Sequence, residues 1–159
     1  MTLATIGVYG WAFDDFLDAL HDTDVRVVFD VRQRRGVRGR EYAWANSLRL
    51  QAALSRVGIG YRHHPELAPT PELRHLQYDE DARAGVGKRN RVELSPAYSE
   101  RYLREILALV DPGELIAELP PEGAGALMCV ERDPEACHRS LIAERLAAEH
   151  GVSIVHIRP

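Results

Sequence analysis

Cysteine is scarce in this chain: two residues in 159, Cys129 and Cys137. A disulfide-stapled secreted scaffold is therefore excluded. The N-terminal stretch MTLATIGVYGW has no basic n-region and no long apolar core, so no signal peptide is expected. No run approaches the ~18 uninterrupted apolar residues of a membrane span. A cytoplasmic protein with two free thiols and no membrane partner is the expectation. Charge of one sign is missing too. The formal net charge is −4, so no global field draws the protein to nucleic acid or an anionic surface. Any anion binding must come from a local patch.

What is present is a globular composition, 45% hydrophobic and 28% charged, in a length suited to one domain with its own core. Leu3–Tyr9 reads as a buried strand broken by Gly10. Phe13–His21 carries Phe13, Phe16, Leu17 and Leu20 at helical spacing. Val25–Val31 is β-branched enough for an interior strand. A helix is expected from Asn46 or Ser47 to Gly58, then a strand over Ile59–His64. About thirty irregular residues follow, rich in Pro, Gly and charge, and a loop of that length is usually functional or partly disordered. A helix opens at Ser95-Pro96, with a stripe through Tyr98, Tyr102, Ile106 and Leu109. Ala126–Val130 reads as a short buried strand. Asp133 and Pro134 read as the cap and first turn of a helix ending at Gly151, and VSIVHI closes the chain. Alternating strands and helices predict one α/β domain over residues 1–159. It would have three layers, with a largely parallel central sheet flanked by helices. Ligands in such sheets sit beyond the C-terminal strand ends.

Three stretches fall at those ends. From Arg32 to Arg40, RQRRGVRGR, five of nine residues are arginine and none is acidic. Guanidinium forks bind phosphate or carboxylate, so Arg32, Arg35 and Arg38 are candidate anion ligands; a solvated loop paired with acids elsewhere is the plainer alternative. Asp30, two residues before Arg32, could orient an arginine, act as a base, or simply shape a turn. The third stretch, CVERDPEACHR, sets Cys137 and His138 near a helix N-terminus, which lowers a thiol pKa. Cys137 is the candidate nucleophile, and Cys129, inside an apolar strand, reads as a small hydrophobe. Seven residues separate the cysteines, unlike a structural zinc knuckle, so no metal is expected. The C-x5-R loop of a protein tyrosine phosphatase is absent, because Glu135 and Ala143 stand where its arginine would. His63 could be a general base or an ordinary hydrogen-bonded histidine. Tyr9 and Trp11 could stack on a ring or close the core.

Taken together, TIGVYGWAFDDFLDAL, VVFDVRQRRGVRGREY, LQAALSRVGIGYRHHPELA and LMCVERDPEACHRSLIAERLAAEHGVSIVHI resemble the family known as domain of unknown function 488. The resemblance implies a compact α/β domain and supplies no activity. Its signature positions present here are Asp30, Arg32, Pro65, Glu66, Leu67, Cys129, Glu131, Cys137, His138 and Arg139, and it implies that they share one cleft. Members usually carry a serine or histidine in the turn after TIG. This chain has Val8-Tyr9-Gly10-Trp11 there, which removes a hydroxyl or imidazole role at that turn.

Two functional readings result. In one, Arg32, Arg35 or Arg38, together with Arg139 and Glu66, line an anion site for a phosphate-bearing small molecule, nucleotide or nucleic acid. Cys137 or His138 reacts there, oriented by Asp30 or Glu131. In the other, the arginine loop and Gly85–Arg91 bind nucleic acid without catalysis. A duller possibility is that His138 and Arg139 only brace the helix against Asp30 and Glu131. The residues point to no particular cofactor.

Overall fold

A computed structural model describes residues 1–159. Five parallel strands form one sheet in the order β3-β2-β4-β1-β5. They are β1 (Thr2–Ile6), β2 (Val25–Asp30), β3 (Gly60–His63), β4 (Ala124–Met128) and β5 (Ser153–His156). The helices are α1 (Phe13–Asp22), α2 (Ser47–Arg56), α3 (Pro71–Arg83), α4 (Pro96–Glu105), α5 (Pro112–Glu118) and α6 (His138–His150). No helix is long and apolar enough to cross a membrane.

Side-chain alternation divides the interior in two. Ala4, Ile6, Val28, Ala126 and Met128 face α1 and α2, where Phe16, Leu20, Leu50 and Leu54 meet them. Leu3, Phe29 and Leu127 face the other way, against Tyr98, Tyr102, Leu115, Ile142 and Leu146 of α4, α5 and α6. The three-layer parallel α/β architecture is as the alternating pattern predicts. Cys129 continues the parity of Leu127 one step past β4, so it faces α6 and Cys137. β4 is the hub. Its backbone is buried throughout and pairs with both β1 and β2.

The structure departs from the sequence reading at several boundaries. β1 ends at Ile6, not Tyr9, because Val8 and Tyr9 both turn their N–H groups to the Val130 carbonyl (3.1 and 3.0 Å). β4 lies two residues earlier than expected, at Ala124–Met128. The irregular stretch after β3 contains α3, whose buried stripe has one apolar residue, Leu73, followed by polar Gln77 and Asp81. A stripe of that kind gives no apolar period to read. The helix expected from Pro134 starts later. Pro134–Ala136 is a separate 3-10 turn, and Cys137 is extended (φ −141°, ψ 144°) as the N-cap of α6.

Candidate active-site cavity

A cavity of about 740 Å³ opens beyond the C-terminal ends of β2 and β4, between the Arg32–Arg38 loop, α3, the Gly87–Arg91 segment and the α6 N-terminus. β2 ends at Asp30, which does not line the cavity; Arg32, just beyond the strand, forms part of the wall. Both are fully buried, and Arg32 Nε and Nη2 donate to the two Asp30 oxygens at 2.9 and 2.8 Å. Arg32 Nη1 donates to the Ala45 carbonyl, and the Tyr61 hydroxyl donates to Asp30 at 2.5 Å. Each of the three Arg32 side-chain nitrogens donates within the protein, which holds Arg32 as a fixed part of the cavity wall.

β4 and α6 deliver the sulfurs. Cys129, Cys137 and His138 are buried, and their donor atoms all lie within 4.8 Å of one another. His138 Nδ1 sits 3.7 Å from Cys137 Sγ, and Nε2 lies 3.0 Å from the Val31 carbonyl. A carbonyl only accepts, so Nε2 carries the proton and Nδ1 is left facing sulfur. Packing on the Tyr102 ring (5.4 Å between centroids) fixes the imidazole plane. Burial by itself would push the Cys137 thiol up. The Cys129 hydrogen bond and the charges of His138 and Arg139 outweigh burial and hold Cys137 well below the ordinary thiol value. Cys129 goes the opposite way, raised by its hydrogen bond to Cys137 and by burial. For His138, burial lowers the pKa, but the Cys137 charge wins and raises it. These shifts favour a thiolate on Cys137 and a proton on His138, with Cys129 as a second, less acidic thiol beside them. This trio is also the one set of side chains with the spacing to hold a metal ion. Within it the close polar contact is Cys137 Sγ to His138 Nδ1, and Cys129 Sγ stands within 4.8 Å of both.

Glu131 forms a third side of the floor. Its Oε1 accepts from Arg91 at 3.1 Å, while buried Oε2 has no partner. Burial, then the Cys137 charge, raises its pKa against Arg91 and Lys88. Arg91 also donates to Asp81 (2.7 Å) and to the Ala136 carbonyl (3.1 Å), tying α3 to the turn that presents Cys137. Gln77 supports Asp81 at 2.8 Å. Sequence reasoning missed Asp81 and Gln77; it had Arg91 only in the basic stretch Gly85–Arg91 and Tyr98 only in a helical stripe. A Thr70-Pro71 cap followed by Leu73, Gln77 and Asp81 at i, i+4 spacing was the available signal.

The remaining predicted residues separate into two groups. Arg38 lines the cavity, together with Arg34, Arg74 and Lys88, and none of these four is in a salt bridge; Arg74 Nε is buried without a partner. Arg35, Glu66 and Arg139 do not line it. Arg35 reaches the Tyr61 hydroxyl at 3.5 Å, and Glu66 pairs with His64 at the surface. Arg139 is fully buried, donating to the carbonyls of Glu131 (2.8 Å) and Arg132 (3.0 Å). It holds the Glu131–Arg132 backbone rather than a ligand. His63 is engaged with the Arg32 carbonyl at 2.8 Å. Tyr9 lines the cavity beside Tyr42, and Arg89 stacks on both rings, whereas Trp11 packs on Phe16.

The sequence profile of DUF488, a domain of unknown function, matches residues 12–146. The chain belongs to the DUF488 family. The DUF488 match contains the whole thiol–imidazole–carboxylate floor and every cationic residue at the mouth, and it leaves β1 and β5 outside. No curated protein and no solved structure matches the chain.

Proposed function

We propose that this protein is an enzyme that uses Cys137 as a thiolate nucleophile on an anionic, phosphate-bearing substrate, a small molecule, nucleotide or nucleic-acid end. The observation that carries this reading is the Cys137–His138 contact at the floor of a cavity whose mouth holds four uncommitted cations. Arg34, Arg38, Arg74 and Lys88 bind the anion and draw it in. Cys137 attacks the substrate's electrophilic atom, the bond from that atom to the leaving group breaks, and the imidazolium, held by the Val31 carbonyl, gives its proton to the departing group. Burial raises the Glu131 carboxyl, and its unpartnered Oε2 is the second place in the floor that can carry a proton. Arg139 and Arg32 position the walls.

The test is the pH dependence of alkylation at Cys137, followed by mass spectrometry with Cys129 as the internal reference. The expected result is rapid reaction with an apparent pKa well below the ~8.5 of a free thiol, slowed by added inorganic triphosphate. Reaction of neither thiol until the protein unfolds, or stoichiometric zinc released on alkylation, would overturn the reading. A second reading, a nucleic-acid-binding module, draws on exposed Arg34 and Arg38 at the mouth. It predicts affinity that survives Cys137→Ser and falls steeply with salt.

A further inference from the structure

Cys129 is not needed by the reaction just described, yet it lines the same cavity and lies within 4.8 Å of both Cys137 and His138. We propose that Cys129 and Cys137 act as a dithiol, and that the electrophile they meet is the disulfide bond of an anionic low-molecular-weight compound. This rests on the nucleophilic Cys137 of the preceding reading and names the class of substrate for it.

Three features of the site support the assignment. Both sulfurs are buried, 5% and 1% exposed, and both face the cavity, so a reaction partner must enter it and carry charge that suits Arg34, Arg38, Arg74 and Lys88. Cys129 is the only other thiol in the chain and lies within 4.8 Å of Cys137, so it is the sulfur placed to resolve a disulfide formed there. The order of events is also built in. Cys129 Sγ lies within 4.8 Å of the Cys137 sulfur, whose negative charge raises the Cys129 pKa. When Cys137 enters a disulfide bond that negative charge disappears, and Cys129 ionises more easily.

The steps balance. The Cys137 thiolate attacks one sulfur of R–S–S–R′, forming a Cys137–S–SR bond, and R′S⁻ leaves with the proton of the His138 imidazolium. Neutral His138 then takes the Cys129 proton. The Cys129 thiolate attacks Cys137 Sγ, expelling RS⁻, which recovers that proton as RSH. Two electrons have passed from the dithiol to the substrate, leaving a Cys129–Cys137 disulfide and neutral His138. A low-molecular-weight thiol restores the reduced enzyme through the reverse exchange. The sulfurs close the remaining gap by side-chain rotation. One follows the end of β4, and the other sits on the extended N-cap of α6, not inside the helix.

The experiment treats the reduced full chain with oxidised glutathione (anionic), 2-hydroxyethyl disulfide (neutral) and cystamine (cationic). Products are read by intact mass and non-reducing peptide mapping. The expected wild-type product is an internal Cys129–Cys137 disulfide with no adduct retained. Cys129→Ser, or Cys129→Ala if serine disturbs the buried position, retains the glutathione adduct on Cys137. The glutathione rate should exceed the cystamine rate by about tenfold or more at low salt, and Arg34→Ala/Lys88→Ala should erase that preference. A wild-type mixed disulfide that persists, no reaction with any of the three compounds, or equal rates for all of them would overturn the proposal. If Cys137 alkylates at low pH but forms no internal disulfide, only the dithiol fails; if it does not alkylate, both readings fail together.

Discussion

At the scale of single residues, Arg139 shows how a side chain can serve a site without touching its contents. Its guanidinium bonds two consecutive carbonyls, Glu131 and Arg132, and its charge helps keep Cys137 ionised. Arg139→Ala leaves those carbonyls unsatisfied and opens a void. We expect a loss of about 2–4 kcal/mol in urea denaturation, together with a higher apparent pKa for Cys137 alkylation. Adjacency made Cys137, His138 and Arg139 legible as a group in the sequence, and the first two do meet in the cavity. Their division of labour was not legible. Nothing in the letters distinguishes an arginine that faces a ligand from one whose donors are engaged by backbone. The same holds for Arg32, whose partners include Ala45, thirteen residues away. Cys129 was read as a small hydrophobe from its apolar neighbours, and only its distance from Cys137 places it in the floor.

At the scale of elements, the site depends on how closely β1 and β4 continue beyond their paired residues. Gly7 follows β1 where a Cβ would stand 1.9 Å from the Glu131 carbonyl oxygen and 3.3 Å from Arg132 Cα. Both neighbours are backbone, so they cannot swing aside. Gly7→Ala should cost about 2–3 kcal/mol, seen as a lower urea midpoint, and should displace Glu131 enough to change the Cys137 alkylation profile. The strand–helix alternation was legible because β-branched runs and apolar helical stripes dominate β2, α1 and α2. The helix α3 was not, since its inward stripe carries Gln77 and Asp81, whose partners Ser95 and Arg91 come from a later loop. The start of α6 was misplaced for a local reason. Asp-Pro normally opens a helix, but here it opens a 3-10 turn without a side-chain cap. That turn leaves Cys137 extended and its sulfur turned to the cavity instead of wound into the first helical turn.

At the scale of the whole molecule, the buried ionisable cluster links stability to pH. His138 has a raised folded pKa, so its contribution is full below about 6.5, the unfolded value, and is lost as pH rises through the folded one. Cys137 has a depressed folded pKa, so its contribution is present above about 8.5 and is lost as pH falls through the folded value. The two slopes are opposite in sign and offset each other where both groups titrate. Above about pH 8.5 the unfolded chain has released thiol protons that native Cys129, raised by Cys137 and by burial, still holds. Stability should therefore fall as pH rises above that value. Cys137→Ser removes a charge that raises both Cys129 and His138 and should flatten the fall in urea midpoints. The sheet order has a further consequence during synthesis. β1 precedes both of its hydrogen-bonded neighbours, β4 and β5, by more than a hundred residues. During synthesis that strand therefore stays unpaired until β4 has been made. Cys129 and Cys137 are ordinary thiols until the sheet closes around β4. The chain cannot present a reactive sulfur before those distant strands have met.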